Sequence, residues 1–324
     1  MVCPIKRCFI GKASPKLHRV SPEIPWLWIP ITVWAAFAQT LRNAAQRHLT
    51  KSLGTLGATL VRFLYGLPFA AAWLGLLMGQ GLVIPAINGP FVLWVVEGAV
   101  MQIIATALLL RVMEERNFAL GVAYSKTEII QVALFGFAFL GDPVTVTTAL
   151  AVLCGTVGVL LLAPVDRAHP FRTFLRGWTS RSALIGLGSG ASFALSATGY
   201  RAAALALDSS SFLMAAGYTL VWAQALQTVL LGGWIFLRDP DAIGRVLRAW
   251  RTSLFAGFMG AAASAGWFTA MAIEPVAHVR TLGLIELLFS YVVSRRVFRE
   301  RLQPLEIGGI VVLTAALLIV TLRR

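Results

Sequence analysis

The sequence predicts an all-helical integral membrane protein, in which ten transmembrane helices form two inverted five-helix repeats. The prediction rests on an apolar composition, on ten apolar segments and on a correspondence between the two halves. Of the 324 residues, 58% are apolar and 13% are charged, whereas soluble domains carry about 45–50% apolar and about 25% charged residues. The composition therefore excludes a soluble globular protein and, outside short segments, an intrinsically disordered one.

The chain is predicted to have four parts: a polar basic tail (1–25), a first five-helix repeat (26–163), a basic connecting loop (164–181) and a second repeat (182–324). A helix crosses the hydrocarbon core of a bilayer in about 20 residues. Ten apolar segments reach about that length: 26–46, 52–78, 91–112, 118–139, 143–163, 182–206, 210–236, 252–273, 276–298 and 304–322. The breaks between them carry glycine, proline or charged residues, which favour turns.

The two halves correspond at an offset of 158 positions. This offset aligns Glu128 with Glu286 and Asp142 with Glu300, because 286 − 128 and 300 − 142 are both 158. An odd number of spans in each half makes the second half enter the bilayer from the opposite face. The arrangement is an inverted-topology repeat, which in secondary transporters encloses the substrate site near the midplane.

Three short motifs stand out, of which the second and third occupy corresponding places in the two halves. They are Arg62-Phe63-Leu64, Phe139-Leu140-Gly141-Asp142 followed by Gly155 and Gly158, and Arg299-Glu300-Arg301-Leu302. Together with the ten spans, they resemble the EamA-type family of the drug/metabolite transporter superfamily over residues 26–322. Arg299 stands where the family pattern has glycine. The resemblance implies the ten-span fold, export of a small metabolite such as an amino acid or amine, and a bacterial inner-membrane location.

The net charge of +14 is concentrated in the short breaks between apolar segments, which excludes a nucleic-acid partner as its explanation. When basic residues near the ends of spans, such as Arg42 and Arg280, are counted as loop residues, 17 Lys and Arg fall on one side of the predicted membrane and 8 on the other. The positive-inside bias therefore favours both termini outside. The family resemblance implies cytoplasmic termini, so the two indications disagree.

Charged residues inside the predicted spans mark the candidate site. A charge at the centre of a membrane helix costs about 2.5–3.5 kcal/mol on insertion scales, so it faces the bundle interior or a wet cavity. Six residues meet this description: Arg62, Glu97, Lys126, Glu128, Arg201 and Glu286.

Glu128 and Glu286 are the leading candidates because the repeat relates them and each lies about ten residues into its span. A desolvated carboxyl group binds a proton or a cationic substrate group more readily than an exposed one. The alternative is a structural role, in which Arg280 or Lys126 neutralises them. Lys126 and Glu128 are two residues apart, which places them on opposite faces of a continuous helix.

The remaining candidates carry both a structural and a functional interpretation. Arg62 braces the second span or contacts substrate, and Glu97 lines a cavity in the third span. Lys126 supplies the cation that an anionic substrate would need at this depth. Tyr124 and Trp267 lie deep enough to line a cavity and to bind a cation through their rings, although core packing is the commoner role.

Catalytic motifs are absent from the sequence. The four histidines and three cysteines are scattered, and no metal-binding, nucleophile-elbow or phosphate-loop motif occurs. The sequence therefore predicts no enzyme activity, cofactor or metal. It predicts a secondary active transporter whose partners are a small-molecule substrate, the lipid bilayer and protons. The alternatives are a carrier of an anionic metabolite that uses Lys126 and Arg62, a non-transporting scaffold or scramblase, and a membrane-embedded enzyme.

Overall fold

The computed structural model describes residues 26–115, 118–126, 181–209 and 211–299, with seven further single positions. Those positions are 128, 131, 146, 149, 153, 308 and 312. The predicted basic tail, the connecting loop before residue 181, and the fifth and tenth spans except for single positions lie outside the described residues, as do Asp142 and Glu300. Within the described residues the chain is helical and contains no strand, so the predicted all-helical class is confirmed there.

Ten α-helices, numbered here in chain order, occur in the described part of the chain. They are α1 (Trp28–Leu64), α2 (Leu67–Gly79), α3 (Gly89–Glu115), α4 (Phe118–Ser125), α5 (Arg181–Ala206), α6 (Phe212–Arg238), α7 (Pro240–Arg248), α8 (Trp250–Ile273), α9 (Val276–Leu282) and α10 (Glu286–Arg296). A 3₁₀ turn, Gly283–Ile285, joins α9 to α10. The short helix α7 lies in a break where the sequence analysis predicts no helix.

Helix α1 folds back on itself at Gly54. This residue has φ +69° and ψ 173°, a conformation that glycine adopts without a steric penalty. The side-chain amide of Gln46 donates a hydrogen bond of 2.8 Å to the carbonyl of Ala58. Twelve residues of continuous helix would separate these positions by about 18 Å. Helix α1 is therefore a hairpin of an N-terminal arm (28–53) and a C-terminal arm (55–64). The sequence predicts a break here at 47–51, and the structure places it at Gly54, because the helix continues through the predicted break.

Long apolar helices indicate a membrane protein. Four stretches of the described chain are long and apolar enough to cross a bilayer: Trp28–Gly79, Gly89–Glu115, Phe212–Arg238 and Trp250–Ile273. Large apolar side chains on them face outward, among them Leu76, Val229 and Leu237. Such exposure is favourable in contact with lipid tails rather than with water.

Close packing of the helices brings together charged residues that lie far apart in the sequence. The most extensive contacts are those of α1 with α8 and of α3 with α5. A Cβ atom on Gly257 of α8 would lie 2.5 Å from the backbone of Tyr65, and one on Gly266 would lie 2.8 Å from Ala35. Glycine at these positions lets the backbones approach, as small residues do where the hydrophobic effect cannot drive helices together.

Two predicted spans are interrupted where charged residues occur. Helix α4 ends at Ser125 and Lys126 lies in a turn. The span predicted over 276–298 is divided into α9, the 3₁₀ turn and α10, which begins at Glu286. A cation beyond the C-terminus of one helix and an anion at the N-terminus of another both complement the helix dipole.

A buried charged cluster as the candidate functional site

Glu286 lies at the centre of a buried polar site and is 1% exposed. Three donors surround its carboxylate. Lys126 Nζ lies 2.5 Å from Oε2, Gln39 Nε2 donates to Oε2 at 2.6 Å, and Asn43 Nδ2 donates to Oε1 at 3.1 Å. Both oxygens are therefore hydrogen-bonded and the charge is paired, which a buried carboxylate requires.

Trp267 orients the groups around Glu286. Its indole N–H donates to Gln39 Oε1 at 2.8 Å, which leaves the NH₂ of that amide to face the carboxylate. The guanidinium carbon of Arg280 lies 4.8 Å from the centre of the Trp267 ring, within the range of a cation–π contact. The predicted cavity residue Trp267 is 3% exposed and lies between an amide and a cation.

Glu128 is held less tightly than Glu286. Arg280 Nη1 lies 3.5 Å from its Oε1 and Lys126 Nζ lies 3.7 Å from the same oxygen. Its Oε2 has no hydrogen-bond partner among the described residues, although the side chain is 2% exposed. The expectation that Lys126 and Glu128 point apart is wrong because α4 ends before Lys126, so helical geometry does not apply.

Arg42 is a site residue that the sequence analysis assigned to a loop. It lies in the N-terminal arm of α1 and is fully buried. Its Nε and Nη2 donate to Asn43 Oδ1 at 3.2 and 2.6 Å, while Nη1 has no partner in the described part of the chain. Arg42 interacts electrostatically with Glu286 and with Arg280. Omitting the buried Arg42 and Arg280 from the loop counts leaves 16 basic residues against 7, so the predicted charge bias keeps its direction.

A stripe of polar residues in the first predicted span marks the face of α1 that contacts Glu286. Gln39, Arg42, Asn43 and Gln46 recur three or four residues apart in an otherwise apolar segment, which places them along one face of a helix. Gln39 and Asn43, the two amides that bind Glu286, carry no charge, so the criterion of a charge within a span does not select them.

Arg62 extends the site towards α3 and α8. Its Nη1 donates to Thr106 Oγ1 at 3.0 Å and its Nη2 to Ser264 Oγ at 3.4 Å. A Cβ atom on Gly260 would lie 3.3 Å from Arg42 Cδ and 3.2 Å from Arg62 Cγ. The two arms of α1 therefore direct one arginine each to the same point of α8.

We name these residues together the charged cluster. Its members are Arg42, Arg62, Lys126, Glu128, Arg280 and Glu286, each at most 6% exposed. Four cations face two carboxylates, so the described part of the cluster carries a formal charge of +2 when all six are ionised. A buried charge surplus is costly in a membrane interior.

The charged cluster as defined includes neither Glu97 nor Tyr124. Glu97 lies on α3 beside Gly199 of α5, and its Oε2 has no hydrogen-bond partner in the described residues. Tyr124 lies on α4, and its side chain is outside the described part of the structure. Arg201, the remaining charged candidate, donates through Nη1 to two backbone carbonyls near the end of α8, each at 2.6 Å.

A second polar group, the neutral triad, joins α3, α5 and α6. The Tyr200 hydroxyl donates to Gln102 Oε1 at 3.0 Å. Gln227 Nε2 donates to the same oxygen at 2.8 Å and to the Tyr200 oxygen at 2.7 Å. The triad carries no charge and its members are at most 8% exposed.

Comparison with known proteins defines the fold alone. No family model matches the chain, and no curated protein matches it. Among the solved structures that match is one described only as "Crystal structure of protein". It is 15% identical to this chain, has a TM-score of 0.61, and the match covers 90% of this chain and 99% of that one. Among the described residues, no group of three or more His, Cys, Asp and Glu side chains could hold a metal ion.

Proposed function

We propose that this protein is a secondary active transporter of a small organic metabolite, which works by alternating access around the charged cluster. The observation that carries the proposal is the Lys126–Glu286 ion pair, which is almost completely buried and joins the first half of the chain to the second. Ionised side chains within membrane helices are expensive, and they commonly mark substrate or ion pathways.

The helix boundaries support two repeats of five spans. Helix α4 ends at Ser125 and α9 ends at Leu282, which are 157 residues apart. The offset of 158 that aligns Glu128 with Glu286 differs from this by one residue. Nearly the same relation therefore covers these helix ends and the buried acids.

Helix packing supports an axis that relates the two repeats. In the proposed repeat, the N-terminal arm of α1 corresponds to α5, and α3 corresponds to α8. The contact of α1 with α8 then corresponds to the contact of α5 with α3, and these are the two most extensive contacts among the described helices. A two-fold axis exchanges such a pair of interfaces, as expected of inverted repeats in transporters.

The interrupted helices support a substrate site at the cluster. Transporters commonly form their sites where membrane helices are broken, because the free helix ends there interact with charged groups. The sequence motifs imply the finer part of the proposal: membership of the EamA-type family of the drug/metabolite transporter superfamily, a non-enzymatic exporter, and the bacterial inner membrane.

Lys126 is the mobile element in the proposed mechanism. It lies 2.5 Å from Glu286 and 3.7 Å from Glu128, so a small movement of the two repeats transfers it from one carboxylate to the other. Gln39 and Asn43 hold Glu286 to α1. Glu128 Oε2, which has no hydrogen-bond partner in the described part of the chain, accepts a proton or a substrate group. Rocking of the repeats then opens the cluster to each side in turn, driven by a proton gradient or by substrate exchange.

Reconstitution in liposomes tests the proposal. With an imposed pH gradient, uptake of amines, amino acids and organic anions is measured for the wild type, Glu286→Gln and Glu114→Gln. Glu114 is the matched control because it is a glutamate at the exposed end of α3, paired with Arg111. We expect saturable uptake in the wild type and the control, and none in Glu286→Gln. Uptake that is equal in all three proteins would reject the mechanism, and no uptake of any solute would favour a scaffold.

A double variant separates transport from folding. Removing one partner of a buried ion pair costs about 3–5 kcal/mol, because the other charge is left uncompensated. Lys126→Gln combined with Glu286→Gln removes both charges, so we expect the melting temperature to recover relative to either single variant. Uptake remains absent in the double variant if the pair takes part in transport. Recovery of both stability and uptake would make the pair structural.

A further inference from the structure

We infer that the substrate of this carrier is an organic anion, and that Arg42, Arg62 and Arg280 bind its carboxylate or phosphate group. The inference rests on the proposed function and specifies the chemistry of the same site. It develops the alternative of an anionic metabolite, with Arg42 and Arg280 in place of Lys126, rather than the amino acid or amine that the family resemblance implies.

Among the described residues, the charges of the cluster do not balance. Lys126 is paired with Glu286, and Arg280 lies 3.5 Å from Glu128. Arg42 donates only to an amide and Arg62 only to two hydroxyl groups among the described residues. Arginine cannot lose its proton in a protein, so these two buried charges require an anion or a wet cavity.

Unused donors are available to bind such an anion. Arg42 Nη1 and Arg280 Nε are buried, and neither has a hydrogen-bond partner in the described residues. The stems of Arg42 and Arg62 converge at Gly260, where the absent side chain leaves room for them. A planar guanidinium matches the geometry of a carboxylate or phosphate and binds it through two parallel hydrogen bonds.

The acids of the cluster are poorly placed to bind a cationic substrate. Both oxygens of Glu286 already accept hydrogen bonds from the protein. Glu128 has one free oxygen, but Arg280 and Lys126 flank the other. A second ammonium group would enter a site that already has a surplus of two positive charges, where like charges repel strongly because little water screens them. The same surplus makes a dianion a better ligand than a monoanion.

Thiol reagents of opposite charge test the inference without knowledge of the substrate. Ser264→Cys places a thiol beside Arg62, in a background in which Cys3, Cys8 and Cys154 are replaced by serine. We expect an anionic methanethiosulfonate (sulfonate head) to react faster than a cationic one (trimethylammonium head). After the rate of each reagent is divided by its rate with a free thiol in solution, the anionic reagent should react about tenfold faster or more than the cationic one. Arg42→Gln should reduce it, whereas Arg238→Gln, at the exposed end of α6, should not.

Transport competition tests the ligand class directly. Succinate, inorganic phosphate and putrescine serve as the dicarboxylate, phosphate and diamine probes of exchange in proteoliposomes. We expect succinate or phosphate to be exchanged and putrescine not to be. Loss of a charged hydrogen bond weakens binding by about tenfold to a hundredfold. Arg42→Gln should therefore raise the half-saturating concentration of the anion by that factor. Arg42→Lys keeps the charge and should raise it by less. The lysine variant is also the control for folding.

The outcomes separate this inference from the proposed function. Saturable exchange of putrescine that is insensitive to Arg42→Gln would leave the transporter intact and overturn the anion site. A preference for the cationic reagent, or no reaction with either reagent, would also overturn the anion site. A preference for the anionic reagent without flux of any probe would support the anion site and reject the transporter.

Discussion

The charged cluster and the neutral triad are both buried polar groups between membrane helices, but they differ in completeness. In the triad, Gln102, Tyr200 and Gln227 form a closed set of three hydrogen bonds with no charge. In the cluster, ion pairs coexist with a carboxylate oxygen on Glu128 and a guanidinium nitrogen on Arg42 that have no hydrogen-bond partner among the described residues. A closed neutral network can hold helices together without a ligand. A charged network with unpaired polar atoms needs a ligand or another group to pair with them.

This difference distinguishes a structural hydrogen-bond network, the neutral triad, from a functional site, the charged cluster. Buried polar groups that lack partners are costly, and they persist in proteins mainly where they serve a function. The triad should therefore contribute to stability alone, whereas the cluster should contribute to both stability and transport. The predictions below test this division, beginning with the largest expected effect.

Lys126→Met should produce the largest loss of stability. It leaves Glu286 buried with only the amides of Gln39 and Asn43 as partners. We expect the free energy of unfolding to fall by about 3–5 kcal/mol, measured by denaturant titration of the protein in detergent. Adding Glu286→Gln should recover most of the loss. A single variant as stable as the wild type would show that the pair is not intact in the folded protein.

Tyr200→Phe should break the triad without affecting the cluster. It removes a hydroxyl that donates to Gln102 and accepts from Gln227. The hydrogen bond from Gln227 to Gln102 remains, but Gln227 Nε2 loses its second acceptor, so we expect a loss of about 1–3 kcal/mol in stability. The half-saturating substrate concentration should stay at the wild-type value. A changed substrate affinity with unchanged stability would extend the site to the triad and contradict the division.

Thr106→Val should have a smaller effect on both properties. It removes one neutral hydrogen-bond partner of Arg62 and leaves Ser264 in place. We expect a loss of about 0.5–1.5 kcal/mol in stability, together with weaker substrate binding, because the guanidinium is less well oriented. Melting curves and uptake kinetics on the same preparation measure the two effects. A loss of stability with unchanged substrate binding would make Arg62 a purely structural residue.

Asp239→Asn should have the smallest effect, because it alters an ion pair exposed to water. Asp239 lies outside the candidate membrane spans, caps α7 through the amide of Ala242, and lies 2.5 Å from Arg245. The hydrogen bond from Arg245 lowers the pKa of Asp239 below its ordinary value of 3.8. A lowered pKa stabilises the folded form above the ordinary pKa, and this stabilisation is lost as the pH falls through the lowered value.

Hydrogen exchange of α7 measures this contribution. In the wild type, protection should decrease as the pH falls below about 4, after correction for the intrinsic exchange rate. In Asp239→Asn, protection should be slightly lower and should not change with pH in this range. A wild-type profile without a pH dependence would show that the Asp239–Arg245 pair is not formed in solution.

The membrane environment explains which features of the fold the sequence predicts. Spans must be long and apolar, so their positions follow approximately from composition, and the observed break at Gly54 lies three residues beyond the predicted break at 47–51. The division of the ninth span was not predicted. Gly283 lies there against the ring of Trp267, a tertiary contact that hydropathy does not report.

The charged residues of the site were predicted in part, for a related reason. Lys126, Glu128 and Glu286 stand out because a charge in an apolar segment is conspicuous. Their pairing did not follow, because it depends on where α4 ends. Arg42 was assigned to a loop because it lies near the end of a predicted span, whereas the N-terminal arm of α1 continues to residue 53.

The central claim is that the charged cluster opens alternately to the two sides of the membrane. The most direct measurement is labelling of Ser264→Cys, without the native cysteines, by an impermeant anionic thiol reagent in right-side-out and inside-out vesicles. The account predicts reaction from both sides, with rates that a transported substrate shifts in opposite directions. Reaction from one side only, or from neither side, in a protein of wild-type stability would contradict it.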